Sequence, residues 1–72
     1  MMNNANFEEV NFTQTDLRGV LAEGSSFKNS ILVGANLSGA HLKDSDLAGA
    51  DLNNTKLVNT DLRCKNHPVC TN

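Results

Sequence analysis

The sequence predicts an all-β solenoid, a chain that runs in short straight sides and turns at every fifth residue. Three observations carry that prediction. Leu or Phe recurs every five residues from Phe7 to Leu62 with one interruption, at Ala22; a small or β-branched residue stands two positions before each place in that series, and every glycine stands two positions after one of those places. Period matters before propensity, because a repeat that goes unnoticed misassigns the whole fold.

The central phase holds Phe7, Phe12, Leu17, Phe27, Leu32, Leu37, Leu42, Leu47, Leu52, Leu57 and Leu62; Ala22 alone interrupts it, and Leu21 is the only Leu or Phe outside it. Two residues earlier come Ala5, Val10, Thr15, Val20, Ser25, Ser30, Ala35, Ala40, Ser45, Ala50, Thr55 and Thr60, a phase that excludes bulk. One residue before the centre, Asn or Asp recurs at Asn6, Asn11, Asp16, Asn36, Asp46, Asp51 and Asp61, the polar and outward kind of position. Two residues after the centre stand Gly19, Gly24, Gly34, Gly39 and Gly49, joined by Asn29, Asp44, Asn54 and Asn59. An α-helix cannot use this spacing, since a step of five advances roughly 140° and spirals the leucines around the axis. A continuous strand cannot either, because an odd period sends successive leucines to opposite faces. The chain therefore turns within each unit. Gly and Asn accept the positive φ that the second central position of a type II turn demands, so that phase marks the corners.

With 72 residues there is room for one domain, in a size range where a single apolar core is only marginally sufficient. Aromatic content is 4% with no Trp or Tyr, so the core must be assembled from many similar small pieces. The N-terminus lacks the basic and apolar regions of a secretory signal, and no apolar run is longer than the three residues of Ile31-Leu32-Val33, so a soluble cytoplasmic protein with no membrane association is expected.

The blocks Ala35-Asn36-Leu37-Ser38-Gly39 and Ala50-Asp51-Leu52-Asn53-Asn54 resemble the A(D/N)LxX unit of pentapeptide-repeat proteins. The resemblance covers residues 5–64 as twelve consecutive units, leaving 1–4 and 65–72 as tails. It implies a right-handed quadrilateral β-helix with four units per coil, about three coils in all, and a bacterial source. Residues twenty apart would then stack at roughly the 4.8 Å spacing of paired strands. The interior columns become Phe7/Phe27/Leu47, Phe12/Leu32/Leu52, Leu17/Leu37/Leu57 and Ala22/Leu42/Leu62. In the last of these Ala22 would leave a hole, with Leu21 swinging inward to compensate and the least regular geometry at residues 20–24.

On the outside, the same stacking sets Glu8 beside Lys28 and Glu23 beside Lys43, exposed pairs worth about 0.2 to 1 kcal/mol. His41 stacks beside Asp61 on an open face, a surface hydrogen-bonded pair rather than a catalytic dyad. A net charge of −2 with both signs interspersed supplies no footprint for direct nucleic-acid binding. Some members of the family imitate duplex DNA and inhibit type II topoisomerases, and Asp16, Asp44, Asp46, Asp51 and Asp61 could supply such acidity. Against this stand the six Lys and Arg and a stack only about 15 Å tall. Among outward apolar residues, Leu21 and Ile31 fall on opposite sides, whereas Ile31 and Val33 share one and form the better partner-binding pair; Val58 also points out.

Residues 64–72, the last of the twelfth unit and the tail, contain both cysteines, Cys64 and Cys70, flanking His67. Three readings stand: reduced thiols of a cytosolic protein, a Cys64–Cys70 disulfide closing the end, or a Cys/His/Cys metal or redox site. Structural zinc wants four ligands, and His41 lies away from any obvious meeting point. A filled, narrow solenoid offers no pocket, so neither catalytic residues nor a cofactor are expected. Solenoid ends expose unpaired backbone and apolar side chains; Phe7, Phe12 and Leu62 would stay partly exposed behind such thin caps. The expected function is a non-enzymatic structural or protein-interaction module, with an unknown protein partner and self-association through one end.

Overall fold

The computed structural model describes residues 3–71; the expectations that touch Met1, Met2 and Asn72 lie outside the described residues. Each five-residue unit is a straight side of three residues followed by a two-residue corner. Alternation along extended backbone sends the first and third residues of a side to one face and the second to the other. Ala35 and Leu37 are accordingly buried while Asn36 between them reaches the surface.

The corners are type II turns. The carbonyl of the Leu/Phe residue accepts a hydrogen bond from the N–H three residues on, as in Ala35 N–H to Leu32 O at 3.0 Å and Ala40 N–H to Leu37 O at 2.9 Å. The second corner residue has positive φ at every corner from Asn4 to Asn59, between 55° and 73°. Glycine and Asn dominate because an L side chain is strained there. Glu9 (φ 63°) and Gln14 (φ 57°) nonetheless adopt it, although neither is a turn-type residue.

Parallel bridges join residues twenty apart, from Asn6↔Ser26 through His41↔Asp61. Windings 5–24, 25–44 and 45–63 therefore lie one over another, the first two with four left-handed corners each and the third with three. The middle residue of a side uses both of its backbone groups toward the preceding winding: Ile31 N–H donates to Val10 O at 3.0 Å, and Ile31 O accepts from Phe12 N–H at 2.6 Å. Corners come too soon for a longer strand to form, so the β-structure is a set of single-residue bridges.

The central phase lines the interior. Phe27, Leu32, Leu37, Leu42 and Leu47 are fully buried, whereas Phe7, Phe12 and Leu17 at one end and Leu52, Leu57 and Leu62 at the other are half-buried, since those windings have a neighbour on one side only. The small inward phase carries its hydroxyls on backbone carbonyls: Ser45 Oγ donates to Leu42 O at 2.7 Å, Thr55 Oγ1 to Leu32 O at 2.8 Å and Thr60 Oγ1 to Leu37 O at 2.8 Å. Ser30 Oγ is buried with no partner among the described residues.

Two local expectations are corrected. Leu21 does not swing inward: it bridges His41 in regular register and stays exposed, while Ala22 is fully buried and Gly24 N–H keeps its bond to Lys43 O at 2.9 Å. Moving Leu21 would break the bonds of its flanking groups, His41 N–H to Val20 O at 2.9 Å and Ala22 N–H to His41 O at 3.0 Å. The interior at this end also holds three rings, Phe7 stacked on Phe27 at 5.2 Å between centroids and Phe12 tilted against Phe27 at 6.1 Å. The second correction is in the twelfth unit, which is one residue short. Asp46 bridges Lys65, nineteen residues on, and Lys65 N–H donates to Ser45 O at 3.0 Å. Cys64 thereby occupies the small inward position rather than a corner, and it is fully buried.

Candidate interaction surfaces

The outward Asn/Asp phase is engaged with its own backbone. All seven of these side chains accept the N–H two residues on: Glu8 to Asn6, Thr13 to Asn11, Arg18 to Asp16, Ser38 to Asn36, Ala48 to Asp46, Asn53 to Asp51 and Arg63 to Asp61, at 2.9–3.2 Å. That amide is the first corner residue's, which no ladder bond reaches. The sequence marked this phase only as polar and outward; the signal for its task is that Asx side chains habitually bond the backbone two residues ahead.

Two of these carboxylates also chelate arginine. Arg18 donates Nε to Asp16 Oδ1 at 2.9 Å and its terminal nitrogen to Oδ2 at 2.8 Å, and Arg63 repeats the arrangement on Asp61 at 2.9 and 2.7 Å. The arginine side-chain hydrogen bond, followed by the backbone N–H bond, lowers each carboxyl from the ordinary 3.8 to about 2. Asp46 is lowered as well, chiefly by the Asn66 side-chain bond at 3.1 Å and then by the Ala48 N–H.

The anticipated charge pairs are reassigned. Lys28 reaches Asp46 at 3.7 Å rather than Glu8, and Glu8 instead accepts from Ser26 Oγ at 3.1 Å. Glu23 and Lys43 form no ion pair among the described residues. Asp61, committed to Arg63, makes no hydrogen bond with His41, which acts on it only through charge. Leu21, Ile31 and Val58 are exposed and Val33 is half-buried, with Leu21 and Ile31 on opposite sides.

At the C-terminal end, a disulfide joins Cys64 to Cys70. The tail between them folds over the last winding: His67 Nε2 lies 3.2 Å from Ala50 O, Thr71 N–H donates to Leu62 O at 2.8 Å, and Val69 and Cys70 pack against the core. Beside the tail an open depression of about 440 Å³ is floored by Leu52 and Leu57 and walled by His67 and Val69. Its only ionisable side chains are His67, whose ring is bonded to backbone, and Asp51, which caps Asn53. Among the described residues, no group of three or more His, Cys, Asp or Glu could hold a metal ion, and no helix is long and apolar enough to cross a membrane.

The N-terminal end carries no comparable cover among the described residues. Asn6, Asn11, Asp16 and Leu21 stand in the middle of their sides, yet their N–H and C=O groups have no partner there. The five-residue pattern predicts exposed ends but does not distinguish an end covered by the tail from one that is not.

A family model of pentapeptide repeats matches residues 5–44 and 32–63, in eight copies. Among solved structures, the chain is similar to the pentapeptide repeat protein Rfr23 from the cyanobacterium Cyanothece 51142, at 32% identity and a TM-score of 0.79. That likeness covers 85% of this chain and 43% of the Rfr23 chain. No curated protein matches.

Proposed function

Since this chain belongs to the pentapeptide-repeat family, whose members are right-handed β-helices, we propose that it is a quadrilateral helix of about three coils serving as a non-enzymatic interaction module, with protein contacts at its ends and flat sides. One observation carries this. The polar side chains that could have formed a reactive site are spent on corner amides and arginine chelates, and the interior is filled by Leu and Phe. What is left to offer is surface: two ends with backbone groups to spare, and sides bearing isolated apolar residues such as Ile31.

Self-association through an end is part of the proposal, and an unidentified protein partner for the flat sides is the other part. Sedimentation over a concentration series tests the first. A mass rising toward the dimer supports it, and a constant monomer mass removes it. The topoisomerase-directed, DNA-imitating alternative is weakened because Asp16 and Asp61 are neutralised by Arg18 and Arg63; unchanged gyrase supercoiling in the presence of the chain would dispose of it.

A further inference from the structure

From the backbone polarity of the two ends we infer that the chain forms a closed two-fold dimer, N-terminal end against N-terminal end of a second copy. The dimer rests on the reading that an end mediates association, and it specifies which end and which symmetry. At the N-terminal edge, Asn6, Asn11 and Asp16 each direct both an N–H and a C=O out of the stack, with neither group bonded among the described residues. The equivalent groups one winding later show the direction, since Ile31 points both of its groups back at the first winding. A residue with both groups on one edge is what the closely spaced pair of an antiparallel ladder requires, where two residues exchange both hydrogen bonds. A two-fold axis perpendicular to the stack reverses the sides of the second copy and so makes them antiparallel.

The alternative, head-to-tail stacking, needs the C-terminal edge. There the tail intervenes, with His67 on Ala50 O and Thr71 N–H on Leu62 O, fastened by the Cys64–Cys70 disulfide. Head-to-tail contacts would also propagate without end, whereas the isologous contact closes at two copies. The N-terminal end adds apolar surface: Phe7 and Phe12 are half-buried, and Val10, in the small inward phase, is 36% exposed because no described residue lies above it. Principal extents of 24 × 24 × 23 Å make an end contact of roughly 1,000 Å² in total, at the lower bound for a specific interface.

Amide exchange read by NMR on the full chain, at concentrations below and above the dimer midpoint found by sedimentation, tests this. The expected result is that the Asn6, Asn11 and Asp16 amides slow by about tenfold or more as the dimer fills, while those of Leu52, Asn54, Leu57 and Asn59, also without partners among the described residues, do not change. Replacement Asn11→Pro deletes an N–H that no internal bond uses and should weaken the dimer by about tenfold. Asn11→Ala, which removes the bonds that Asn11 Oδ1 accepts from the Thr13 N–H and hydroxyl and leaves the backbone N–H in place, should leave the dimer intact. Slowing at the C-terminal amides, or at both ends, overturns the N-to-N dimer while sustaining association through an end; a monomer at about 1 mM overturns both.

Discussion

Replacing Asn36 with alanine isolates the role of the outward Asn/Asp phase. The carboxamide of Asn36 accepts the Ser38 N–H at 3.0 Å in a partly buried corner. The backbone of Asn36 is held separately, its N–H on Thr15 O at 3.0 Å and its carbonyl accepting from Leu17 N–H at 2.8 Å, so the ladder survives the change. What is lost is one hydrogen bond, a net loss of about 0.5–1.5 kcal/mol, similar to removal of a helix N-cap. A change of about 1 kcal/mol moves Tm by roughly 4–8 °C in a chain of this size. The converse substitution makes the test symmetrical. Val58 N–H has no partner among the described residues, and Lys56 stands where an Asx side chain would reach it. Lys56→Asn supplies the missing acceptor, and its own N–H keeps the bond to Ala35 O at 2.9 Å; a gain of similar size is expected. Urea unfolding followed by far-UV circular dichroism reads both. If Asn36→Ala is neutral and Lys56→Asn gains nothing, the Asx phase is merely a solvated surface and corner capping is not what maintains it.

Gln14→Gly relieves a left-handed corner at φ 57° that burdens an L residue by about 1–2 kcal/mol; offset by glycine's unfolded-state entropy, a net gain of up to about 1 kcal/mol should appear in the same urea assay, and a loss would refute the strain. Ser30→Ala deletes a buried hydroxyl without a partner, so stability should hold or rise by up to about 1 kcal/mol; a loss above that would reveal a bond at Ser30. Reducing Cys64–Cys70 should lower unfolding stability by about 2 kcal/mol on the chain-entropy estimate for so short a loop, while unchanged stability with dithiothreitol would mean the tail is pinned without it. The carboxyls of Asp16 and Asp61 stand near pKa 2 in the folded chain against an ordinary 3.8. A lowered folded value means their contribution is whole above the unfolded pKa and is lost as pH falls toward the folded one. The urea midpoint should therefore drop between about pH 4 and about pH 2, and drop less in Asp16→Asn, whereas equal drops in both proteins would refute the Asp16 contribution.

Much of the fold was legible because the five-residue unit is a local object. Alternation along three extended residues decides that Ala35 and Leu37 face in and Asn36 out, and a turn two residues long places glycine or Asn where φ is positive. None of that needs knowledge of a distant neighbour, so the period, the interior residues and the corners follow from the sequence alone. The family resemblance lay in those same positions.

Other features depend on what lies twenty residues away, and only the tertiary structure decided them. Glu9 and Gln14 take left-handed corners because their N–H groups are drawn to Lys28 O at 2.9 Å and Val33 O at 2.8 Å in the next winding. Leu21 stays in register because the groups on either side of it are held by the next winding, Val20 O accepting from His41 N–H at 2.9 Å and Ala22 N–H donating to His41 O at 3.0 Å. The nineteen-residue step at Lys65, the inward turn of Cys64 and the tail over one end arise where the stack runs out of partners. Local conformational preference shapes each unit, whereas hydrogen bonds and packing between windings, nonlocal and cooperative, determine how the units meet and which end the tail covers.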